Sequence, residues 1–181
     1  MNHATLPPRN ALHFRRSLMD SLLSDHRRIK GRFRQFQKNR DALDLPLQCA
    51  LVQSICSELM VHLQLEKEFF YPAAWECIAD RTQVSQSMVT HVCFRHLLAQ
   101  LMVEPPGTVH YLAMVCVLAR QVEHHMKEEE TYLFPKLTSK RIHWEALHHT
   151  MQSRRIALAD AMMPQHQPME GADTVVPLQM A

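Results

Sequence analysis

The chain has 181 residues, a formal net charge of +2 and 46% hydrophobic residues, which fits one domain with short tails and indicates no particular class of partner. With only three glycines and few strand-forming runs, the composition predicts an all-α fold. The five cysteines are odd in number and contain no CxxC pair, which argues against a disulfide framework and a thiolate zinc site.

Five helices are predicted along the chain, separated by short connections. The prediction rests on apolar residues that recur at helical spacing. Pro72 is expected to end or kink the second helix, and Pro135 is expected to end the fourth. The predicted helices cover residues 11–39, 47–71, 83–102, 108–134 and 139–162.

These helices define the expected domain organisation. Residues 1–10 contain Pro7-Pro8 and little else, so we expect a flexible N-terminus. Residues 163–181 have no clear period and are expected to be a disordered tail. Residues 11–162 are therefore expected to form one helical metal-binding domain.

Two of the predicted helices carry the same pair of polar residues. His62 is followed four residues later by Glu66, and His125 is followed four residues later by Glu129. Residues at i and i+4 lie on one face of a helix, so each pair can bind one metal ion or two adjacent ions. A single pair of this kind is weak evidence, because it also occurs as a simple surface pair.

The two pairs belong to an internal repeat. The apolar residues before His62 match those before His125, and the first and third helices match each other around His26 and His91. The chain thus reads as two copies of one antiparallel helical hairpin. This predicts an up-down four-helix bundle with an additional C-terminal helix, and one histidine of each bundle helix at a similar depth.

Four buried histidines and two buried glutamates would each need a partner. A single buried histidine is more often satisfied by a hydrogen bond, but a pair of metal ions satisfies all six groups together. Mixed imidazole and carboxylate ligands suit iron, manganese or zinc rather than calcium or magnesium. The predicted ligands are His26, His62, Glu66, His91, His125 and Glu129.

These motifs resemble the hemerythrin-like (HHE cation-binding) domain over roughly residues 15 to 160. The resemblance rests on Asp25-His26, His62-xxx-Glu66 with Tyr71-Pro72, His91-xx-Phe94, and His125-xxx-Glu129 with Phe134-Pro135. It implies a carboxylate-bridged di-iron centre in which one iron keeps an open position for dioxygen. By the same resemblance, His26 and His62 bind one iron, His91 and His125 bind the other, and Glu66 and Glu129 bridge them.

One position departs from the oxygen-carrying hemerythrins, which have a second histidine one turn after the ligand of the third helix. Arg95 stands at this position. His96 with a shifted helix, His124 or water could supply the fifth ligand instead. The departure favours sensing, redox chemistry or iron handling over reversible oxygen carriage. Tyr132, one turn beyond Glu129, is expected in the core.

The sequence therefore predicts a non-haem di-iron protein that binds or senses dioxygen or a related small oxidant such as nitric oxide. Two iron ions are expected, and manganese or zinc could take their place. The alternatives are an iron-handling or redox protein, for example in iron–sulfur repair, and a zinc-bound or metal-free helical interaction module. A metal-binding or sensor protein is favoured over an enzyme, because no substrate pocket can be read from the sequence.

A cytoplasmic location is expected. Residues 1–10 lack the apolar core of a signal peptide. The longest apolar run, residues 111–119, is too short to cross a membrane, so no membrane partner is expected. The basic face of the first helix is expected to be solvated rather than to bind nucleic acid. The last helix could support a homodimer or contact a protein partner.

Overall fold

The regular structure of the chain is entirely helical over residues 9–162, the part that the computed structural model describes. Two π-helical turns, Glu66–Phe70 and Glu129–Leu133, each join one α-helix to the next. The predicted tail of residues 163–181 lies outside the described residues. The α-helices are α1 (Arg9–Asn39), α2 (Leu45–Leu65), α3 (Tyr71–Cys77), α4 (Thr82–Leu101), α5 (Val109–Glu128), α6 (Phe134–Leu137) and α7 (Trp144–Met162).

Four helical rods form the bundle: α1, α2 with α3, α4, and α5 with α6. Helix α1 packs against α2 and α5, and α4 packs against α5 and α2, which closes a ring of four neighbours. Short connections join consecutive rods, so neighbours in sequence run antiparallel. Helix α7 lies across α1 and α2 outside the ring. The predicted four-helix bundle with an additional C-terminal helix is confirmed.

Side-chain caps start two of the rods. The Asp44 carboxylate accepts a hydrogen bond from the Leu47 backbone N–H at 2.9 Å, and Pro46 lies in the first turn of α2. The Thr108 hydroxyl accepts from the Tyr111 backbone N–H at 3.0 Å at the start of α5. Both caps satisfy N–H groups that have no partner within the helix.

Each π-helical turn ends two residues before a proline. Pro72 and Pro135 have no N–H to donate, and a proline ring clashes with the carbonyl four residues earlier in an α-helix. The wider turn avoids this clash. In it the N–H of Tyr71 bonds the carbonyl of Glu66, and the N–H of Phe134 bonds that of Glu129. The prediction that Pro135 ends its helix is therefore wrong, because the chain continues helically to Leu137.

The π-helical turns change which residues face inward. Phe70 and Tyr71 are buried after the first turn, and Leu133 and Phe134 are buried after the second. Tyr132 is 55% exposed, so its predicted place in the core is wrong. The physical reason is that a π-helical turn takes up one extra residue and moves the inward face one position along the chain.

The core consists of two apolar clusters with a polar layer between them. One cluster surrounds Phe33, Phe36 and Leu59, and the other surrounds Leu22, Phe70 and Phe134. The polar layer contains all the buried polar and charged residues of the described chain: Asp25, His26, His62, Glu66, His91, His125 and Glu129.

The last helix begins later than predicted. Residues 138–143 form a connection, and α7 starts at Trp144 rather than near residue 139. Within residues 9–162, no helix is both long enough and apolar enough to cross a membrane.

Candidate metal centre

Each bundle helix contributes one histidine to the buried polar layer. His26 lies on α1, His62 on α2, His91 on α4 and His125 on α5, and all four are at most 3% exposed. Glu66 and Glu129 are the first residues of the two π-helical turns and are equally buried. The structure thus brings all six predicted ligands together.

The six side chains form two overlapping groups that share both glutamates. One group contains His26 and His62, and we call it the His26/His62 half. The other contains His91 and His125 and is called the His91/His125 half. Within each group of four residues, one nitrogen or oxygen atom from each side chain lies within 4.8 Å of the others. Two ions could therefore occupy adjacent positions.

Each glutamate lies close to one histidine of each half. For Glu66, Oε2 lies 3.2 Å from His62 Nε2 and 3.4 Å from His91 Nε2. For Glu129, Oε2 lies 3.5 Å from both His26 Nε2 and His125 Nε2. Each glutamate therefore lies between the two halves, where a carboxylate could bridge two ions.

Most of the atoms that face the centre have no hydrogen-bond partner among the described residues. Buried polar atoms are normally paired, and an unpaired one costs about 1–3 kcal/mol. Here the unpaired atoms are clustered, and nitrogen and carboxylate oxygen are the donors that a metal ion would take. They include His26 Nε2, His62 Nε2, both oxygens of Glu66 and Glu129 Oε2.

The two glutamates have opposite pKa shifts. Burial disfavours the charged form of Glu66, but the rings of His62, His91 and His26 outweigh it and lower the pKa of Glu66 to about 2. Burial, together with the charge of Glu66, raises the pKa of Glu129 well above its usual value. Two adjacent buried carboxylates do not ionise together without a cation, and a metal ion would allow both to do so.

Burial also keeps most of the histidines neutral. It lowers the pKa of His26 to about 4, and burial with the neighbouring His91 lowers the pKa of His125 to about 3. The pKa of His91 is lowered by burial as well. For His62, the carboxylates of Glu66 and Asp25 outweigh burial and raise the pKa. A neutral ring is the form that binds a metal.

Carboxylates outside the centre lie beside the two histidines of the His26/His62 half. Glu130 Oε1 lies 2.9 Å from His26 Nδ1 and also accepts a hydrogen bond from Lys30 at 2.8 Å. Asp25 Oδ2 lies 3.5 Å from His62 Nδ1. Such contacts fix the orientation of a ligating imidazole and increase its basicity.

A tyrosine lies beside the His91/His125 half of the centre. The hydroxyl oxygen of Tyr71 is 2.8 Å from His91 Nε2 and 3.4 Å from His125 Nε2, and it donates to Glu129 Oε1 at 2.7 Å. Burial and the nearby carboxylates of Glu129 and Glu66 raise the pKa of Tyr71 well above its usual value. The sequence analysis named Tyr71 as part of a family motif but gave it no role in the site. The signal for it was the proline at the same offset in both repeats, which produces the π-helical turns.

Comparison with known families decides the affiliation of the chain. The hemerythrin HHE cation-binding domain model matches residues 17–137. The chain belongs to this family. Curated protein sequences and solved structures gave no significant match.

The positions considered for the fifth histidine of oxygen-carrying hemerythrins do not reach the centre. His96 is exposed, and His124 is an exposed partner of Glu128 at 3.3 Å. Arg95 donates to the Gln64 side chain at 3.2 Å. Any additional protein ligand must therefore come from a residue other than these histidines.

The last helix lies beyond the part of the chain that the hemerythrin model matches. Helix α7 nevertheless reaches the outer contacts of the centre, because Arg155 donates to both oxygens of Asp25, at 2.6 and 3.1 Å. His148 contacts Ser17 at 2.9 Å, on the side of α1 that faces α7.

The basic residues of α1 are largely paired with acidic ones. Arg28 and Arg32 both contact Glu58, and Arg34 contacts Glu123 at 2.9 Å. Lys30 forms an ion pair with Glu130. These ion pairs reduce the net positive charge that the face presents.

Proposed function

We propose that this hemerythrin-family chain is a non-haem di-iron protein that binds or senses dioxygen or a related small oxidant such as nitric oxide. The observation that carries the proposal is the pair of glutamates, each of which reaches a histidine of both halves. Glu66 and Glu129 would bridge the two ions. His26 and His62 would hold one ion, and His91 and His125 the other.

The donor set supports iron. Imidazole nitrogen and carboxylate oxygen suit iron, manganese and zinc, and helix-borne ligands of this kind are typical of carboxylate-bridged iron and manganese pairs. When bound, the iron pair would supply the redox chemistry and the coordination position for a small oxidant.

The protein's own residues prepare the centre for that role. The apolar clusters on both sides keep bulk water away from the polar layer. Glu130 orients the ring of His26 through a hydrogen bond, and the Asp25 carboxylate lies 3.5 Å from His62 Nδ1. Tyr71 places its hydroxyl oxygen 2.7 Å from Glu129 Oε1. The site is small and buried, which suits a diatomic ligand better than a larger substrate.

A cytoplasmic location is part of the proposal. All five cysteines are free thiols, which suits a reducing compartment. No observation favours a particular macromolecular partner, so the proposal is restricted to the metal centre and its small ligand.

The test is a metal analysis combined with optical spectroscopy. The full chain is reconstituted anaerobically with ferrous iron, and its iron content and absorption spectrum are measured before and after exposure to air. We expect two irons per chain and a new charge-transfer band in air. A band that disappears when oxygen is removed indicates reversible binding, whereas permanent oxidation indicates sensing or redox chemistry. A chain that takes up no iron contradicts the proposal.

A matched pair of variants tests the bridging assignment. The double variant Glu66→Ala with Glu129→Ala should lose most of its iron. The control is Glu128→Ala, which removes a glutamate from an exposed His–Glu pair of the same spacing in the same helix. Circular dichroism checks that each variant keeps its helices. If the double variant and the control bind the same amount of iron, the bridging assignment is wrong.

A further inference from the structure

The His91/His125 half contains an oxygen donor that the His26/His62 half lacks. The hydroxyl oxygen of Tyr71 lies 2.8 Å from His91 Nε2, 2.7 Å from Glu129 Oε1 and 3.4 Å from His125 Nε2. The side chain is 1% exposed. Three atoms that face the centre thus surround one phenol oxygen.

The contacts of this oxygen also match the spacing of metal ligands. A phenol donates one hydrogen bond and can accept others, so hydrogen bonds to Glu129 Oε1 and His91 Nε2 use two of the three neighbouring atoms. His91 Nε2 and His125 Nε2 also face each other at 3.0 Å. At metal–ligand distances of about 2.0–2.2 Å, adjacent donors at right angles are separated by roughly 2.8–3.1 Å. The Tyr71 oxygen lies close to this spacing from His91 and Glu129, as a member of the same shell would.

The position of Tyr71 results from the π-helical turn. In an uninterrupted α-helix, Tyr71 would lie about 140° around the axis from Glu66 and would point away from the centre. The wider turn between the two residues brings them to the same side. Functional sites are where such turns are frequently found.

The donor count also leaves room for Tyr71. Each half has two histidines and the two shared glutamates, so each ion would have four protein donors. His96 and His124 are exposed and cannot add a fifth. Tyr71 is buried beside the two histidines of the His91/His125 half and can supply a fifth donor.

We propose that Tyr71 is a protein ligand of the ion held by His91 and His125, an inference that rests on the proposed di-iron function. Its coordination forms a metal–oxygen bond and breaks the phenol O–H bond. The proton leaves to solvent, and no electron is transferred. The His91/His125 half then has five protein donors, and the His26/His62 half, with four, keeps the position for a small oxidant.

The test is resonance Raman and visible spectroscopy of the ferric protein. The full chain is loaded anaerobically with ferrous iron and oxidised in air. We expect a phenolate-to-iron(III) charge-transfer band and enhanced ring vibrations of a coordinated tyrosinate. The Tyr71→Phe variant should lose both signals while it retains bound iron and its helical circular dichroism.

The chain has three tyrosines, so the signals can be assigned by removing Tyr71 alone or by removing the other two. The double variant Tyr111→Phe with Tyr132→Phe leaves Tyr71 as the sole tyrosine. It should keep the tyrosinate signals, because Tyr111 lies in the apolar cluster around Phe36 and Tyr132 is on the surface. This variant tests the proposal even if Tyr71→Phe fails to fold.

The outcomes separate this inference from the proposed function. A wild-type chain that binds two irons without tyrosinate vibrations overturns the role of Tyr71 and leaves the di-iron function intact. Tyrosinate vibrations that are absent from the double variant, or that persist in Tyr71→Phe, also overturn it. A wild-type chain without iron overturns both proposals.

Discussion

Arg155 on α7 donates a hydrogen bond at 2.6 Å to Oδ2 of Asp25, the oxygen that lies 3.5 Å from Nδ1 of His62. Asp25 is almost completely buried, and Arg28 also contacts it, at 2.9 Å. Although burial opposes ionisation, His62 and Arg155 keep the pKa of Asp25 far below its usual value. The C-terminal helix therefore neutralises a buried charge directly behind a proposed metal ligand.

Replacing Arg155 should destabilise the metal-free protein. In Arg155→Ala the buried Asp25 carboxylate loses two charged hydrogen bonds and keeps the contacts with Arg28 and His62. We expect the free energy of unfolding to fall by about 1.5–3 kcal/mol, as measured by urea denaturation.

The neighbouring arginine provides the matched control. Arg154 lies on the same helix and pairs with Glu68, but both side chains of that pair are substantially exposed. Exposed ion pairs contribute little, so Arg154→Ala should change the free energy of unfolding by less than about 1 kcal/mol. Equal losses in the two variants would show that burial of Asp25 is not the deciding factor.

Glu130→Gln should weaken metal binding without removing a ligand. Glu130 Oε1 contacts Nδ1 of His26, and an amide orients the ring less firmly than a carboxylate. Changes to such outer contacts typically reduce metal affinity by about 10–100-fold. Isothermal titration of the metal-free chain with ferrous iron under anaerobic conditions measures the effect.

The control for this variant is Glu128→Gln. Glu128 pairs with His124 on the exposed side of α5, away from the centre. Its metal affinity should equal that of the wild type. Unchanged affinity in Glu130→Gln would mean that the contact with His26 does not orient the ligand.

Replacing two glycines by alanine should change the free energy of unfolding in opposite directions. Gly31 lies within α1 with open space around it, so Gly31→Ala should raise the free energy of unfolding by roughly 0.5–1 kcal/mol. Gly107 has φ +79°, and an added Cβ would lie 2.8 Å from Leu45 Cδ1. Left-handed backbone costs other residues about 1–2 kcal/mol, so Gly107→Ala should destabilise. Urea denaturation measures the free energy of unfolding of both variants. If both are stabilised or both are destabilised, the prediction is wrong.

The proposed ligands could be identified from the sequence because helical geometry is regular over short distances. His62 and Glu66 are four residues apart, and the same spacing recurs at His125 and Glu129. Over one turn, this spacing alone fixes which side chains share a face. The repeat then related the two pairs to each other, and the structure places them in one buried layer.

Tyr71 and Arg155 could not be found in the same way, for two different reasons. The face that Tyr71 presents depends on a π-helical turn, so counting in steps of an α-helix assigns it to the wrong side. Arg155 meets Asp25 across 130 residues of sequence, and no local pattern encodes that contact. Only the packing of α7 against α1 brings the two together.

Metal binding should raise the thermal stability of the chain. The unpaired atoms at the centre gain partners when an ion binds to the folded state, and the unfolded chain offers no such site. A free ion concentration of 100 times Kd adds about 2.7 kcal/mol to the free energy of unfolding. For a chain of this size, that corresponds to a rise in Tm of roughly 5–11 °C. Scanning calorimetry with and without ferrous iron under anaerobic conditions measures the rise in Tm.

Two histidine variants test whether the stabilising ion binds at the centre. His62→Ala should abolish the rise in Tm and His124→Ala should keep it, because the ring of His62 faces the centre and that of His124 does not. An equal rise in both variants would place the stabilising ion elsewhere on the protein.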